Sequence, residues 1–308
     1  MITYLTRRLF GVLVVALGVL TITFVLISLI PGDVATFYAG PHATGQVLQE
    51  IRRELGLDQP KYIQYVRYLW QAVHGNFGQS ATLDEPVLTA ILQRLPQTAM
   101  LAAAVVLIEM TVMLIFGILS ALYEDSLIDR LTAVLAALSV SLPGFWIGIM
   151  LLLIVAYKLN LLPLGGYDNP VIAYLILPAA TQGVPGGFWY ARILKASLED
   201  TLHEDYIRTA RSKGLAQRAI VIRHGLPNAI IPVITILAMD LGSLLGGVVV
   251  IETVFSWPGI GLLAYQSLLN LDVPLVIGTV VFTAIAIALL NIVADVLRVV
   301  IDPRVRLA

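Results

Sequence analysis

The sequence contains no cysteine and has few charged residues for its length of 308. Without cysteine the chain can form no disulfide, cannot use thiol catalysis and cannot build a cysteine-liganded metal site. Charged residues make up 13% of the chain and hydrophobic residues 58%, whereas a soluble domain carries roughly 25% charged residues. The net charge of −1 provides no general field to attract nucleic acid. These values predict a membrane protein with no nucleic-acid partner.

Motifs of several enzyme classes are also missing. A phosphate-binding loop requires Gly-x4-Gly-Lys-Ser/Thr, and no lysine in this chain is followed by serine or threonine. The chain has neither His-Glu-x-x-His nor Gly-x-Ser-x-Gly, and its four histidines are scattered. We therefore expect no catalytic residue, no metal site and no cofactor of its own, so the chain is not expected to be an enzyme.

Long apolar stretches recur along the chain. About 20 helical residues cross the roughly 30 Å hydrocarbon core of a bilayer. The first stretch is too long for the apolar core of a signal peptide, so we expect an uncleaved helix. Another stretch, 253–271, is broken at Pro258-Gly259 and then too short to cross, which predicts an interfacial or re-entrant helix. Six spans are predicted, at 9–30, 97–122, 131–157, 171–191, 227–251 and 273–297.

The distribution of basic residues predicts the orientation. Most of the 19 lysines and arginines fall in segments that are inside if both termini are cytoplasmic. The sequence therefore predicts an all-α multi-pass protein of the cytoplasmic (inner) membrane. Its expected parts are the N-terminus with the first helix (1–30), an extracytoplasmic segment (31–96) and a five-helix core (97–308) that contains a basic cytoplasmic segment (192–226).

The segment 192–226 has the clearest local pattern in the chain. Acidic residues come early and basic residues late, which suits the dipole of a helix. Gly214 can end that helix in the left-handed conformation. On composition alone, a surface helix held on anionic lipid headgroups is an equal alternative. Helical spacing predicts one mostly apolar face, made of Leu198, Leu202, Tyr206 and Thr209.

The same segment resembles the coupling signature of ABC importer permeases, Glu-Ala-Ala-x3-Gly-x9-Ile-x-Leu-Pro. Gly214 stands in the place of the glycine, Leu226-Pro227 in that of Leu-Pro, and Thr209-Ala210 in that of the two alanines. Arg208 replaces the glutamate and His224 the isoleucine. With these departures the segment looks like the form found in dipeptide, oligopeptide and nickel importers.

Further stretches along almost the whole chain resemble this subfamily and its B-type permease. The resemblance implies the transmembrane-domain fold of type I ABC importers, and passage of di- or oligopeptides by alternating access. The matching stretches are Pro31-Gly32-Asp33, Leu55-Gly56-Leu57-Asp58-Gln59-Pro60, Gly75-Asn76-Phe77-Gly78-Gln79-Ser80, residues 252–261 and Asp302-Pro303-Arg304.

The resemblance also implies a set of partners. A second homologous permease would complete a heterodimer, ABC ATPase subunits would bind ATP and Mg²⁺, and an extracytoplasmic solute-binding protein would deliver the solute. Closure of the ATPases would push the coupling helix and rock the spans. The residues expected to contact the ATPase are Glu204, Asp205, Tyr206, Ile207, Arg208, Thr209, Ala210, Arg211, Lys213 and Gly214.

Two carboxylates fall near the middle of predicted spans, Glu109 in the second and Asp240 in the fifth. An ionised carboxylate at that depth costs roughly 2.5–3.5 kcal/mol on insertion scales, so each should face protein or water. One interpretation is that they line the translocation pathway and meet the ammonium end of a peptide. The other is that they are protonated or hydrogen-bonded to a neighbouring helix and serve only assembly.

Two further features suggest moving parts. Trp257 stands where a residue of the aromatic belt would, and the adjacent Pro258-Gly259 suggests an external gate beside the pore. Pro143-Gly144 interrupts the third span, either as a packing kink or as a gating hinge.

The main alternative function is a stand-alone secondary transporter or channel for a small solute. Such a protein would need its own ion-coupling carboxylates and commonly has an internal inverted repeat. Glu109 and Asp240 could serve as the carboxylates, but no repeat is visible in the sequence.

Overall fold

The fold is all helical over the residues that the structure describes. A computed structural model describes residues 2–29, 35 and 45–301, without the side chains of 2–5, 7–9, 51, 54–55, 241–247 and 297–301. Within these ranges no β-strand forms, and the only bridge is an isolated one between Gln79 and Pro86. The predicted matches at Pro31-Gly32-Asp33 and Asp302-Pro303-Arg304 lie outside the described residues.

The described residues form eleven helices, α1 to α11 in chain order. A π-helical turn, Leu152–Lys158, extends α6, and a short turn, Gln217–Ala219, leads through a second π-helical turn, Ile220–Gly225, into α9. The helices are α1 Ile2–Leu29, α2 Gly45–Leu55, α3 Lys61–Val73, α4 Val87–Leu122, α5 Leu127–Ser141, α6 Gly144–Leu151, α7 Val171–Leu202, α8 Asp205–Ser212, α9 Leu226–Val254, α10 Ile260–Leu269 and α11 Val273–Ile301.

The expectation of about six membrane spans is confirmed. The described part of the chain has five helical segments long and apolar enough to cross a bilayer: Phe10–Leu29, Val87–Leu122, Val171–Leu202, Gln217–Asp240 and Val273–Val296. A sixth span would consist of two pieces, Leu127–Ser141 and Gly144–Lys158, which meet at an angle of 111°.

The predicted third span, 131–157, is therefore not one continuous helix. Pro143 has no backbone N–H to donate and disfavours helical conformation in the residue before it. Leu142 accordingly adopts an extended conformation (φ −96°, ψ 131°), and α6 starts again after Pro143. The interruption expected at Pro143-Gly144 is confirmed, and the bend is sharper than an ordinary proline kink.

Two other predicted boundaries were too narrow. Helix α4 begins at Val87 rather than at residue 97, with Pro96 inside it, and α7 continues to Leu202 rather than ending at 191. On α7 the extension is stabilised by burial of Leu194, Leu198 and Leu202. Hydropathy marks the part of a helix that lies in lipid and cannot show how far the helix continues beyond it.

The chain divides into two compact units, each described by itself. The first unit comprises residues 1–98 and 258–290. In it, α3 packs on α1. The hydroxyls of Thr21 and Tyr65 lie 2.7 Å apart, and the rings of Phe24 and Tyr65 are in edge contact with their centroids 5.2 Å apart. Helix α10, expected as a short helix after the Pro258-Gly259 break, is confirmed. Its first backbone N–H, at Ile260, donates to Thr98 Oγ1 at 2.8 Å.

A buried carboxylate at the start of α11 is hydrogen-bonded to a loop of the first unit. Asp272 is 1% exposed and precedes the first residue of that helix. Its Oδ2 accepts hydrogen bonds from Ser80 Oγ (2.6 Å), Thr82 Oγ1 (2.7 Å) and the Thr82 backbone N–H (3.0 Å). Its Oδ1 accepts from the backbone N–H of Leu275 at 3.2 Å, which caps the helix.

Replacing Asp272 with asparagine is expected to destabilise the protein. Hydrogen bonds to a charged group contribute about 1.5–3 kcal/mol, and an amide cannot accept at both of its polar atoms. We expect a loss of about 1.5–3 kcal/mol in the free energy of unfolding in detergent. The control is Asp84→Asn, because Asp84 is exposed and asparagine tolerates its φ of 55°. Equal losses for both variants would contradict this role.

The second unit comprises residues 99–257 and 291–308, and its described side chains form two buried apolar clusters. One cluster holds Met113, Leu194, Leu198 and Ile207 among its buried members; the other holds Leu101, Val105, Phe255 and Trp257. Glycines on α7 allow α4 to approach closely. A Cβ at Gly187 would lie 2.5 Å from Val112 Cβ and 3.0 Å from the Glu109 carbonyl oxygen.

Replacing Gly187 with alanine should push α4 and α7 apart. Neither the Val112 Cβ nor the Glu109 backbone can move away without moving α4, and overpacking of this kind costs about 1–3 kcal/mol. The measurement is the thermal unfolding midpoint of the purified protein. Gly144→Ala is the matched control, because a Cβ at Gly144 would meet nothing within 4 Å. An unchanged midpoint for Gly187→Ala would show that the two helices are not closely packed.

Candidate functional site

Helix α8 is short, and a change of backbone conformation bounds it at each end. Between α7 and α8, Glu204 takes an extended conformation (φ −67°, ψ 152°) and breaks the helix. After α8, Gly214 has a φ of +74°, a value that costs other residues about 1–2 kcal/mol and that glycine adopts freely. The predicted end of the helix by a left-handed glycine is confirmed.

The inner face of α8 is anchored in the helix bundle. Ile207 is fully buried and Ala210 is 6% exposed, and both belong to the cluster that includes Leu198, Leu202 and Ile220. The predicted apolar face is correct at Leu198 and Leu202 on α7 but wrong beyond them. It assumed one continuous helix, and the break at Glu204 changes which residues of α8 face inward.

Tyr206 lies at the edge of this anchor rather than within it. It is 42% exposed, and its hydroxyl accepts a hydrogen bond from Asn228 Nδ2 at 2.9 Å. The same hydroxyl donates to the His224 carbonyl oxygen at 3.4 Å. Tyr206 therefore connects α8 to the start of α9, while Thr209 is exposed.

The outer face of α8 carries most of the residues predicted to contact an ATPase. The buried Ile207 and Ala210 are exceptions, because their side chains are covered by the chain itself. The ion pair of Arg208 with Asp205 is 3.4 Å long and highly exposed, so it contributes little to stability. The exposed members of the predicted set are Glu204, Asp205, Tyr206, Arg208, Thr209, Arg211, Lys213 and Gly214.

The rest of segment 192–226 is structured and not a free loop. Its first part is the end of α7, where Lys195 Nζ lies 2.8 Å from Asp129 Oδ1 of α5 and 3.3 Å from Glu199 Oε1. Beyond Gly214, Arg218 donates to the Tyr123 hydroxyl at 2.9 Å. The sequence did not predict the ion pair of Lys195 with Asp129, because the two residues are far apart in the chain. Only the helical i, i+4 spacing of Lys195 and Glu199 can be recognised in the sequence.

A mostly apolar cavity of about 630 Å³, with a few polar side chains in its lining, lies within the second unit. Helices α4, α7 and α9 and the break between α5 and α6 supply its lining. It brings together the two mid-span carboxylates that the sequence singled out. Glu109 is 5% exposed, and Asp240 accepts a hydrogen bond from the Tyr190 hydroxyl at 2.7 Å. Sequence reasoning missed Tyr190 and Gln182, since ordinary polar residues on a span give no distinctive pattern.

Gly186 leaves space for the Glu109 carboxylate. A Cβ at Gly186 would collide with Glu109 Oε1, so the glycine lets the acid lie against the backbone of α7. The bend at Pro143 contributes Leu142, Gly144 and Phe145 to the same cavity. The interrupted span and the two acids, which the sequence presented as separate features, therefore meet at one place.

Trp257 does not occupy the lipid-facing position expected of a belt residue. It is fully buried, and its ring makes edge contact with Tyr167 at a centroid distance of 5.1 Å. Its backbone N–H donates to the Glu252 carbonyl oxygen at 2.8 Å. The belt interpretation is wrong because the apolar cluster around Phe255 covers the ring. The gate role stays a prediction.

The fold resembles that of a solved ABC importer. The chain matches a structure titled "Inward facing conformations of the MetNI methionine ABC transporter: CY5 native crystal form" with a TM-score of 0.55 and 15% identity, covering 70% of this chain and 97% of that one. This likeness, with the helical spans, defines the class: a transmembrane domain of the type I ABC importer fold.

Sequence comparison gives the family. Residues 113–307 match the family "Binding-protein-dependent transport system inner membrane component", and residues 1–102 match its N-terminal family. The glutathione transport system permease protein GsiC of Escherichia coli K12 is 37% identical over 99% of both chains. The probable D,D-dipeptide transport system permease protein DdpB of the same strain is 38% identical over 98% of this chain and 96% of its own.

The chain belongs to the family of inner membrane components of binding-protein-dependent transport systems. It is a multi-pass permease subunit of the ABC importer class. The two family matches together, and each of the two relatives by itself, extend over nearly the whole chain, so the predicted resemblance is confirmed.

Proposed function

We propose that this chain is one of two different permease subunits of an ATP-driven importer for short peptides. One relative is named as a glutathione permease and the other as a probable D,D-dipeptide permease, and both solutes are short peptides. The family name includes a binding protein, which supports delivery of the solute by an extracytoplasmic partner. ATP and Mg²⁺ would be bound by separate ATPase subunits.

The observation that carries the coupling role is the construction of α8. The helix is short, ends at a left-handed glycine and exposes a charged outer face, while Ile207 and Ala210 fix its inner face to the bundle. A force applied to the outer face would thus reach α7 and α9 through buried contacts. Segment 204–214 is the proposed ATPase contact, with Ile207 and Ala210 serving as anchors.

The proposed arrangement across the membrane follows the basic residues. Both termini and segment 192–226 would be cytoplasmic, and the segment 31–96 with α2 and α3 would be extracytoplasmic. Trp257 would serve as a gate on that side. Because its ring is buried in this structure, opening would require the ring and the residues that cover it to change their packing. The cavity between α4, α7 and α9 would belong to the translocation pathway, with alternating access provided by movement of these helices.

Reconstitution tests this proposal. Proteoliposomes containing this permease, its partner permease and the ATPase subunits, supplied with the binding protein, should take up short peptides only when ATP is present on the ATPase side. The matched control is the same complex with a hydrolysis-deficient ATPase. Gradient-driven uptake by this chain alone would instead support the stand-alone secondary transporter and contradict the proposal.

A further inference from the structure

We propose that the cavity formed by α4, α7 and α9 is a subsite for the ammonium end of the transported peptide. The proposal rests on the peptide import function given above and adds the part of the peptide that this chain recognises. Its basis is the arrangement of oxygen atoms around the cavity and the composition of the walls.

Three side chains on three different helices offer hydrogen-bond acceptors to the cavity. They are the carboxylates of Glu109 on α4 and Asp240 on α9 and the amide of Gln182 on α7. The Gln182 Oε1 atom is buried and has no hydrogen-bond partner among the described residues. An ammonium group has three N–H donors and no acceptor, so its chemistry fits a site that offers oxygen acceptors.

The charge of the walls favours a cation. No lysine, arginine or histidine lines the cavity among the described side chains, and residues 241–247 of α9 contain no basic residue in the sequence. Glu109 is 5% exposed, and a buried carboxylate is costly when ionised unless a cation or hydrogen bonds compensate it. A peptide ammonium entering the cavity would supply that compensation.

The aromatic walls and the size of the cavity also fit this ligand. Trp189, Phe145 and Tyr190 line the cavity, and aromatic faces attract cations. A volume of about 630 Å³ suits a small molecule such as a short peptide. Among the described residues, no group of three or more His, Cys, Asp or Glu side chains is arranged to hold a metal ion, which favours an organic cation as the ligand.

The absence of a basic lining has a second consequence. The carboxylate end of a peptide would be repelled by this cavity, so its recognition must lie elsewhere in the complex. The orientation of the peptide is therefore set by its N-terminus at Glu109 and Asp240. This predicts that substituting either acid alters the effect of N-terminal modification on peptide binding. The effect of C-terminal modification should not depend on the two acids.

The test measures peptide binding to the detergent-purified complex of both permeases and the ATPases, without binding protein or nucleotide, by calorimetry. The probes are a tripeptide, its N-acetylated form and its C-amidated form. In the wild type, N-acetylation should weaken binding at least tenfold. In Glu109→Gln and Asp240→Asn complexes the tripeptide should bind at least tenfold more weakly, and N-acetylation should then cost less than twofold. The effect of C-amidation should be the same in all complexes.

The control variant is Asp168→Asn, which makes the same change of charge at an exposed position outside the cavity and should bind like the wild type. Equal binding of the free and N-acetylated tripeptides to the wild type would overturn the subsite, even if the variants failed to fold. Competition by Mg²⁺ at millimolar concentration would reassign the cavity to an inorganic cation. If either of these results is obtained while the complex still takes up peptides in the presence of ATP, the subsite is wrong but the proposed function stands. Failure of the subsite can thus be told apart from failure of the proposed function.

Discussion

Exchanging Arg208 and Arg211 together for glutamate is expected to lower ATP-driven uptake at least about tenfold, since each 1.4 kcal/mol of lost binding energy is a factor of ten. Both residues are on the exposed surface of α8, where an ATPase would dock. Reversing two charges at a complementary interface costs several kcal/mol. The measurement is peptide uptake by proteoliposomes, together with the fraction of ATPase that copurifies with the permeases.

The matched control is Arg53→Glu, an exposed arginine on α2 in the segment predicted to lie on the opposite side of the membrane. It should leave ATPase copurification unchanged. The thermal unfolding midpoint of the isolated permease should be close to the wild type in all these variants, because exposed charges contribute little to stability. Normal ATPase retention and uptake in the α8 variant would show that its outer face is not the contact.

Replacing Ile207 with aspartate is expected to detach α8 from the helix bundle. Ile207 is fully buried in the cluster with Leu198, Leu202 and Ile220, and a charge left without compensation in such a place costs about 3–5 kcal/mol. We expect a lower thermal unfolding midpoint and uptake near background. ATP hydrolysis by the copurified ATPase should continue but should no longer drive transport, because the contact would be separated from the spans.

Thr209→Asp provides the comparison, because it introduces the same side chain two positions along the same helix at an exposed site. Its free energy of unfolding should stay within about 0.5 kcal/mol of the wild-type value, as is usual for surface substitutions. Equal destabilisation by the two substitutions would indicate that the inner face of α8 is not packed as described.

The sequence predicted the number and order of the membrane spans well, because lipid imposes long apolar stretches that are easy to see. The predicted short helix after Pro258-Gly259 and the left-handed Gly214 are also confirmed, since proline and glycine act locally. The boundaries at 97 and 191 were less accurate. Residues beyond the lipid are held in helical form by packing, as Leu194 and Leu198 are, and hydropathy does not register such packing.

The site was predicted in its parts but not in its assembly. Glu109 and Asp240 stood out individually because carboxylates are rare in apolar spans, whereas their meeting in one cavity depends on how α4, α7 and α9 pack. The inner face of α8 was misassigned because a break at Glu204, which no proline or glycine marks, changes the helical register. Trp257 was placed at the membrane surface for a similar reason: nothing local shows that other residues cover it.

Site-specific crosslinking tests the coupling role of α8 most directly. The chain has no cysteine, so Ser212→Cys on exposed α8 would introduce its only thiol, and Glu50→Cys on α2 gives a matched control. With a thiol-to-amine crosslinker of short reach, the Ser212→Cys complex should yield a covalent adduct of permease and ATPase whose amount changes on addition of ATP, while the Glu50→Cys complex should yield none. An ATPase adduct from Glu50→Cys, or none from Ser212→Cys in an intact complex, would contradict the account.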